Sequence, residues 1–164
     1  MFQKKSRYRR VYNQIKDLLI QTDDLITGMA TVNAILYHKM PDFFWVGFYL
    51  LKKNRLLVGP YQGPLACQIL RPNTGVCWSC INTGKTIMVP DVDQFPGHIA
   101  CDSRSKSEIA LPVINNQGDK IGVFDIDSDK LNCFDETDCT YLNLILQSMV
   151  SSSTPPLSGI PEER

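Results

Sequence analysis

The sequence has no excess of charge of either sign and no long apolar run. Its 164 residues include 17 Lys and Arg and 17 Asp and Glu, so the formal net charge is zero. A balanced chain offers no broad basic surface for nucleic acid or for an anionic membrane. No apolar run reaches the roughly 18–20 residues that a membrane span requires. The sequence therefore predicts that neither nucleic acid nor a membrane is a partner.

A recognisable secretory signal is missing as well. The first residues are basic, but Asn13, Gln14 and Lys16 interrupt the apolar segment that follows, and no small-residue cleavage site comes after it. These absences predict a cytoplasmic protein, and thiols in that compartment remain reduced. The six cysteines are therefore expected to serve chemistry, metal binding or packing rather than a disulfide scaffold.

What is present fits one domain of the α+β class. Residues 6–40 show helical periodicity with a break near Thr22, and a last helix is predicted to start near Phe134. Between them lie short apolar segments separated by turns, at residues 43–51, 56–58, 66–70, 86–89, 107–114 and 120–126. Short turns favour antiparallel pairing of successive strands. We expect a single domain over residues 1–150 and a disordered tail over residues 151–164, which is rich in Ser, Thr and Pro.

Two aspartates occur in an otherwise apolar strand. Aspartate is disfavoured in strands, yet Asp125 and Asp127 lie within the segment IGVFDIDS. At a spacing of two they project from the same face, where neighbouring carboxylates raise the pKa of at least one of them. The pair indicates a pocket for a cationic group, a metal ion or a proton donor, although a solvent-facing edge strand would explain it too.

Trp45, Gly47 and Tyr49 follow the same spacing in the first predicted strand. The alternation of side chains places both rings on one face of this strand, with a gap between them at the glycine. Such a pair can hold an ammonium group or a thioether-like methyl group against the ring faces. Aromatic residues at this spacing also occur in ordinary cores, so the prediction of a pocket depends on the two strands facing each other.

Cys101 lies in a polar loop, and His98, Arg104 and Lys106 are close to it in sequence. Cationic neighbours lower the pKa of a thiol, and the thiolate is the reactive form. A structural cysteine would be expected among apolar residues instead. Cys101 is therefore the candidate nucleophile. Glu108, near the start of the next predicted strand, is a further candidate, a carboxylate at the edge of the sheet.

The cysteine spacing also permits a zinc site. Four ligands occur in two pairs, at Cys77, Cys80, His98 and Cys101. The second pair does not have the spacing of a standard zinc finger. A zinc site would also leave Cys67 and the two aspartates of the apolar strand without a role, so it is kept as an alternative.

Seven fragments of the chain occur in a familiar order and spacing. They are WVGFY at 45–49, GPYQG at 59–63, AC at 66–67, GVC at 75–77, GHIACD at 97–102, SEI at 107–109 and GVFDIDS at 122–128. Together they resemble the free methionine-(R)-sulfoxide reductases, a GAF-domain family, over about residues 20–150. Signalling GAF domains lack these cysteines and the paired aspartates. The resemblance implies a GAF-like α+β fold, with a central antiparallel sheet of about six strands and helices packed mainly on one side.

The resemblance also implies a role for each candidate residue. The nucleophile of the family falls on Cys101, its resolving cysteine on Cys67 and an auxiliary cysteine on Cys77. Its substrate-binding residues fall on Trp45, Tyr49, Glu108, Asp125 and Asp127. After Cys77 the chain departs from the family pattern, because Trp78 replaces a small residue and Cys80 adds a further thiol.

The implied reaction is the thiol-dependent reduction of free L-methionine-(R)-sulfoxide to methionine. Cys101 would become a sulfenic acid and then form a disulfide with Cys67, which thioredoxin or a similar dithiol would reduce. No metal or organic cofactor is implied, whereas a homodimer is. The rival interpretation is a non-catalytic GAF module that binds a small ligand and signals to a partner.

Overall fold

The computed structural model describes residues 2–98 and 102–153. Cys101, the predicted nucleophile, and residues 154–164 of the predicted tail lie outside the described residues. The helices are α1 (Phe2–Leu19), α2 (Leu25–Lys39), α3 (Gly75–Thr83) and α4 (Glu136–Ser152). The strands are β1 (Trp45–Lys52), β2 (Arg55–Gln62), β3 (Ile87–Val89), β4 (Ser107–Ile114) and β5 (Lys120–Ser128). Helix α4 thus continues two residues into the segment that the sequence predicts as a tail.

Within the described residues the five strands form one antiparallel sheet in the order β2-β1-β5-β4-β3. The predicted α+β class is therefore confirmed. The expected sixth strand, residues 66–70, is reduced to a single bridge between Ile69 and Leu57 at the β2 edge. Pro64 and Pro72 flank this segment, and a proline has no backbone N–H to extend a ladder.

The helix ends follow local sequence signals. Asp24 caps α2 by accepting a hydrogen bond from the Thr27 backbone N–H at 2.7 Å. Gly84 ends α3 with a φ of 66°, in the left-handed region that glycine adopts without strain. Asp135 caps α4 within a capping box. None of the helices in residues 2–98 and 102–153 is long and apolar enough to cross a membrane.

The sheet is packed on both faces, and the two faces differ in character. Helices α1, α2 and α4 cover one face, where Phe48, Leu111 and Phe124 of the central strands are fully buried. The alternate side chains of the same strands, including Tyr49 and Val123, belong to a second cluster with α3. Because side chains alternate along a strand, all the candidate residues on β1, β4 and β5 share this α3 face.

Candidate active site

Three neighbouring strands bring the predicted site residues together. Trp45 on β1 pairs with Asp127 on β5, which in turn pairs with Glu108 on β4. The next row on the same face contains Gly47, Asp125 and Ala110. Side chains paired across neighbouring strands are in direct reach of one another. Strands β1 and β5 are adjacent, which meets the condition on which the predicted pocket depends.

These rows form the floor of a cavity on the α3 face. Its lining surrounds about 570 Å³ of space, which includes the solvent at its open mouth. Phe44, Leu65 and Leu70 contribute to an apolar wall. No lysine or arginine is among the described residues that line the cavity. The cavity therefore combines an apolar wall with an acidic floor.

The acidic floor consists of three carboxyl groups that are short of charged partners. Glu108 and Asp125 are only 5% and 6% exposed. Burial, followed by the negative charge of Asp125, raises the pKa of Glu108 and of Asp127 well above their ordinary values. Burial also raises the pKa of Asp125 to about 6. Without a cation in the cavity, the cluster therefore retains protons near neutral pH.

Cys77 reaches the same floor from α3, and His98 reaches it from the loop before β4. The Cys77 thiol donates to Glu108 Oε1 at 3.9 Å, and burial raises the pKa of this thiol well above its ordinary value. A protonated thiol is a poor primary nucleophile. His98 Nδ1 lies 3.7 Å from Glu108 Oε2, and burial lowers the pKa of the His98 ring. Glu108 therefore lies between a thiol and an imidazole.

The aromatic residues of β1 differ from the prediction in one respect. The indole of Trp45 lies over Gly47 and stacks on Tyr49, with ring centroids 5.8 Å apart. Its ring also stacks on Tyr61 of β2, with centroids 5.5 Å apart. The predicted gap at Gly47 is therefore filled by Trp45 itself, because glycine has no Cβ to hold the ring away from the backbone. Trp45 and Tyr49 therefore line the cavity as one continuous aromatic wall and not as two rings separated by a gap.

Replacing Gly47 with alanine is expected to destabilise the protein by about 1–3 kcal/mol, the usual cost of overpacking. A Cβ at this position would lie 2.5 Å from Tyr61 Cβ and closer still to the Trp45 ring. The matched control is Gly28→Ala in α2, where the nearest atoms, on Met149 and Leu19, are side-chain atoms at 3.2 and 3.3 Å. Urea unfolding of both variants measures the difference. Equal stabilities for the two would contradict the described stack.

The sequence analysis did not single out Ser105 or Tyr61, which hold other residues of the site in place. Ser105, which is 5% exposed, donates from Oγ to Asp127 Oδ1 at 2.5 Å and fixes that carboxyl group. Tyr61 completes the aromatic stack from β2. Ser103 and Ser107 lie in the same serine-rich stretch, so no local signal distinguishes Ser105 from its neighbours.

The basic residues near Cys101 in sequence are paired with acids. Arg104 Nη2 lies 2.7 Å from Asp102 Oδ2, and Lys106 Nζ lies 3.7 Å from Asp93 Oδ2. Both basic side chains therefore have a carboxylate neighbour.

The described members of the alternative zinc set do not assemble. Within residues 2–98 and 102–153, Cys80 and His98 do not join Cys77 in a group of three close ligand atoms. Cys77 groups instead with Glu108 and Asp125. Cys101, the fourth member of the predicted set, lies outside the described residues.

The remaining cysteines fall into two kinds. Cys67 is disulfide-bonded, whereas the free thiols among the described residues are those of Cys77, Cys80, Cys133 and Cys139. Cys80 and Trp78 are 0% and 6% exposed and pack in the apolar cluster around α3. The departure from the family pattern after Cys77 is therefore accommodated by packing within a regular helix.

Comparison with known proteins agrees with this fold. The GAF domain family matches residues 32–151. The GAF domain-containing protein A of Dictyostelium discoideum is 50% identical over 145 residues, which cover 88% of this chain and 90% of that protein. The free methionine-R-sulfoxide reductase of Escherichia coli is 38% identical over 132 residues, which cover 80% of this chain and 79% of that protein.

A solved structure of a similar protein has the same fold. The free methionine-R-sulfoxide reductase of Neisseria meningitidis, determined in complex with its substrate, superposes with a TM-score of 0.87 at 39% identity. The match covers 92% of this chain and 90% of that chain. The chain therefore belongs to the GAF-domain proteins and, within them, to the family of the free methionine-R-sulfoxide reductases.

Proposed function

We propose that this chain reduces free L-methionine-(R)-sulfoxide to methionine, with Cys101 as the nucleophile. The observation that carries this function is the set of three carboxyl groups, buried at Glu108 and Asp125 and half-buried at Asp127, on the floor of a cavity whose described lining has no lysine or arginine. A nearby cation favours ionisation of carboxyl groups in such a floor. The α-ammonium group of a free amino acid supplies that cation, whereas methionine within a polypeptide has no such group.

The rest of the cavity suits the other end of methionine sulfoxide. Trp45 and Tyr49 present an aromatic wall, and Phe44 adds apolar surface beside them. Aromatic rings make favourable contacts with the methyl and methylene groups that flank the sulfur. The bound amino acid would therefore lie with its ammonium group over the carboxylates and its side chain against the rings.

The proposed chemistry begins with attack of the Cys101 thiolate on the sulfoxide sulfur. Sulfoxide oxygen leaves poorly unless it is protonated, and Glu108, with its raised pKa, supplies a proton. The sulfoxide sulfur is reduced by two electrons and departs as the thioether of methionine. The protonated oxygen passes from the sulfoxide sulfur to the Cys101 sulfur as the bond between the two sulfurs breaks, so Cys101 loses the same two electrons and becomes a sulfenic acid.

A second thiol then completes the cycle. The Cys67 thiol condenses with the sulfenic acid, forming a disulfide and releasing water, and thioredoxin or a similar dithiol reduces that disulfide by exchange. The disulfide-bonded state of Cys67 supports this part of the proposal. Cys77 serves as an auxiliary thiol, since it is free and protonated at the cavity floor.

A substrate panel tests the proposed function. The purified chain, supplied with a dithiol reductant, is given free methionine-(R)-sulfoxide, free methionine-(S)-sulfoxide and a peptide that contains methionine sulfoxide. Turnover of the free (R) form alone is the expected result. Equal turnover of the peptide would contradict the role of the carboxylates, and no turnover with verified reduced thiols would favour a ligand-binding GAF module.

A further inference from the structure

One side-chain cluster on the cavity floor has the composition of a metal site. A ligand atom from each of Cys77, Glu108 and Asp125 lies within 4.8 Å of the other two, and all three side chains are buried. Cys77 Sγ and Glu108 Oε1 are 3.9 Å apart. In a tetrahedral zinc site, bond lengths of about 2.3 Å to sulfur and 2.0 Å to oxygen place two such atoms roughly 3.5 Å apart. The observed pair therefore needs only a small movement to share an ion.

A second observation points independently to a ligand at this position. Asp125 Oδ1 is buried and has no hydrogen-bond partner among the described residues, and Asp125 lines the cavity. Leaving a buried carboxyl oxygen unpaired is costly, and such groups are normally satisfied by a donor or by an ion. A cation on the cavity floor would satisfy this oxygen.

The donor set determines which cation fits. A thiolate is a soft ligand that favours Zn²⁺ and disfavours Mg²⁺ and Ca²⁺, while carboxylate oxygens are acceptable to Zn²⁺. Three protein ligands leave a fourth position open toward the cavity, as in zinc sites that also accept a small molecule. The structure therefore indicates a zinc-type ion rather than an oxygen-only hard cation.

We infer that Cys77, Glu108 and Asp125 form a binding site for Zn²⁺ at the floor of the cavity, and that the ion excludes the cationic substrate. The site shares only Cys77 with the zinc set considered from the sequence. Its existence depends on the geometry of these three side chains and not on sulfoxide reduction. Its consequence for activity rests on the proposed function, because the ion and an α-ammonium group compete for the same carboxylates.

Binding of Co²⁺, a spectroscopic substitute for Zn²⁺, tests the site without any turnover. Every protein in the test carries Cys67→Ser and Cys101→Ser, so that neither redox thiol can bind the ion. A thiolate-to-cobalt charge-transfer band in the near ultraviolet is the expected result, together with its displacement by Zn²⁺. Adding Cys77→Ser is expected to abolish the band. Adding Asp125→Asn is expected to raise the Kd at least about tenfold, because even outer-shell changes cost metal sites 10–100-fold.

The matched control is Cys80→Ser, one turn further along α3. Cys80 is equally buried but is not in the ligand group, so this variant is expected to retain the band. Far-ultraviolet circular dichroism confirms that each variant is folded, and Glu108→Gln provides a second, nearly isosteric ligand change. No band at all, or a band that survives Cys77→Ser, would overturn the site. A band lost in a folded Cys80→Ser protein would overturn it as well, in favour of a site that includes both α3 thiols.

In the unsubstituted protein the same site predicts inhibition. Zn²⁺ is expected to raise the apparent KM for free methionine-(R)-sulfoxide, with reversal by a chelator. If the chain proves inactive, the cobalt measurement still decides whether the site exists, so the two proposals fail separately. Zinc inhibition that leaves KM unchanged while the cobalt band is present would contradict the competition but not the binding site.

Discussion

Replacing Glu108 with glutamine is expected to lower kcat for free methionine-(R)-sulfoxide by about 10²–10⁴-fold, the range typical of a lost general acid. Glutamine keeps the shape of the side chain but cannot deliver a proton. Glu108 accepts from the Cys77 thiol at 3.9 Å and lies 3.7 Å from the ring of His98. Burial raises its pKa well above the ordinary value, so it holds a proton when the substrate arrives.

Asp127→Asn is the matched comparison for this prediction. Asp127, which we propose binds the substrate, is fixed by the Ser105 hydroxyl and pairs with Trp45 across the sheet. Its substitution is expected to raise KM more than it lowers kcat, because binding contacts act on substrate and transition state alike. Steady-state kinetics of both variants separate the two roles. A normal kcat in Glu108→Gln would exclude Glu108 as the proton donor.

Replacing Asp125 with asparagine is expected to stabilise the protein at neutral pH although it damages the site. Moving the pKa of this carboxyl from 3.8 to about 6 costs its ionised form about 3 kcal/mol, at 1.36 kcal/mol for each pKa unit. That cost disappears in the amide. The free energy of unfolding, measured in urea between pH 4 and pH 7.5, shows the effect.

The sign of the pH dependence follows from the direction of the shift. The folded-state pKa of Asp125 is above its unfolded value, so the folded state binds more protons between pH 4 and about pH 6. The stabilisation is therefore complete below pH 4 and is lost as the pH rises through about 6. Asp125→Asn is expected to flatten this fall, whereas Asp17→Asn on the exposed surface of α1 leaves it unchanged. A pH profile that is the same in both variants would contradict the raised pKa of the buried Asp125 carboxyl.

The sequence alone predicted which side chains share a face of a strand, but not which residues lie opposite each other on neighbouring strands. The spacing of two correctly placed Asp125 and Asp127 on one face, since alternation is a local property of any strand. That Trp45 lies directly opposite Asp127 follows from the register of β1 on β5. Register is set by the whole buried face and by the turns, so it could not be read from either segment by itself.

The position of the Trp45 ring was not predictable for a related reason. A tryptophan two residues before a glycine can point its ring along the strand or away from it, and both choices fit the alternation. The ring lies over Gly47, where it stacks on Tyr61, which is sixteen positions from Trp45 in the chain. A contact of this kind depends on neighbouring strands, and no periodicity within β1 could have revealed it.

The sequence predicts a full strand at residues 66–70 and does not reveal the acidic partners of Arg104 and Lys106. Residues 66–70 have the composition of a strand, but the flanking prolines and the exposed position at the β2 edge limit pairing to the bridge at Ile69. Arg104 and Lys106 are basic in sequence, yet each has an acidic partner in space.

The most direct test of the central claim is a single turnover without external reductant. The fully reduced chain is mixed with excess free methionine-(R)-sulfoxide, and both methionine and remaining free thiols are counted. The expected result is about one methionine per chain with the loss of about two thiols, since one sulfoxide oxidises one pair of cysteines to a disulfide. Cys101→Ser is expected to yield no methionine, while Cys67→Ser yields about one and stops at the sulfenic acid. Methionine formed by Cys101→Ser in the amount seen for the unsubstituted chain would contradict the account.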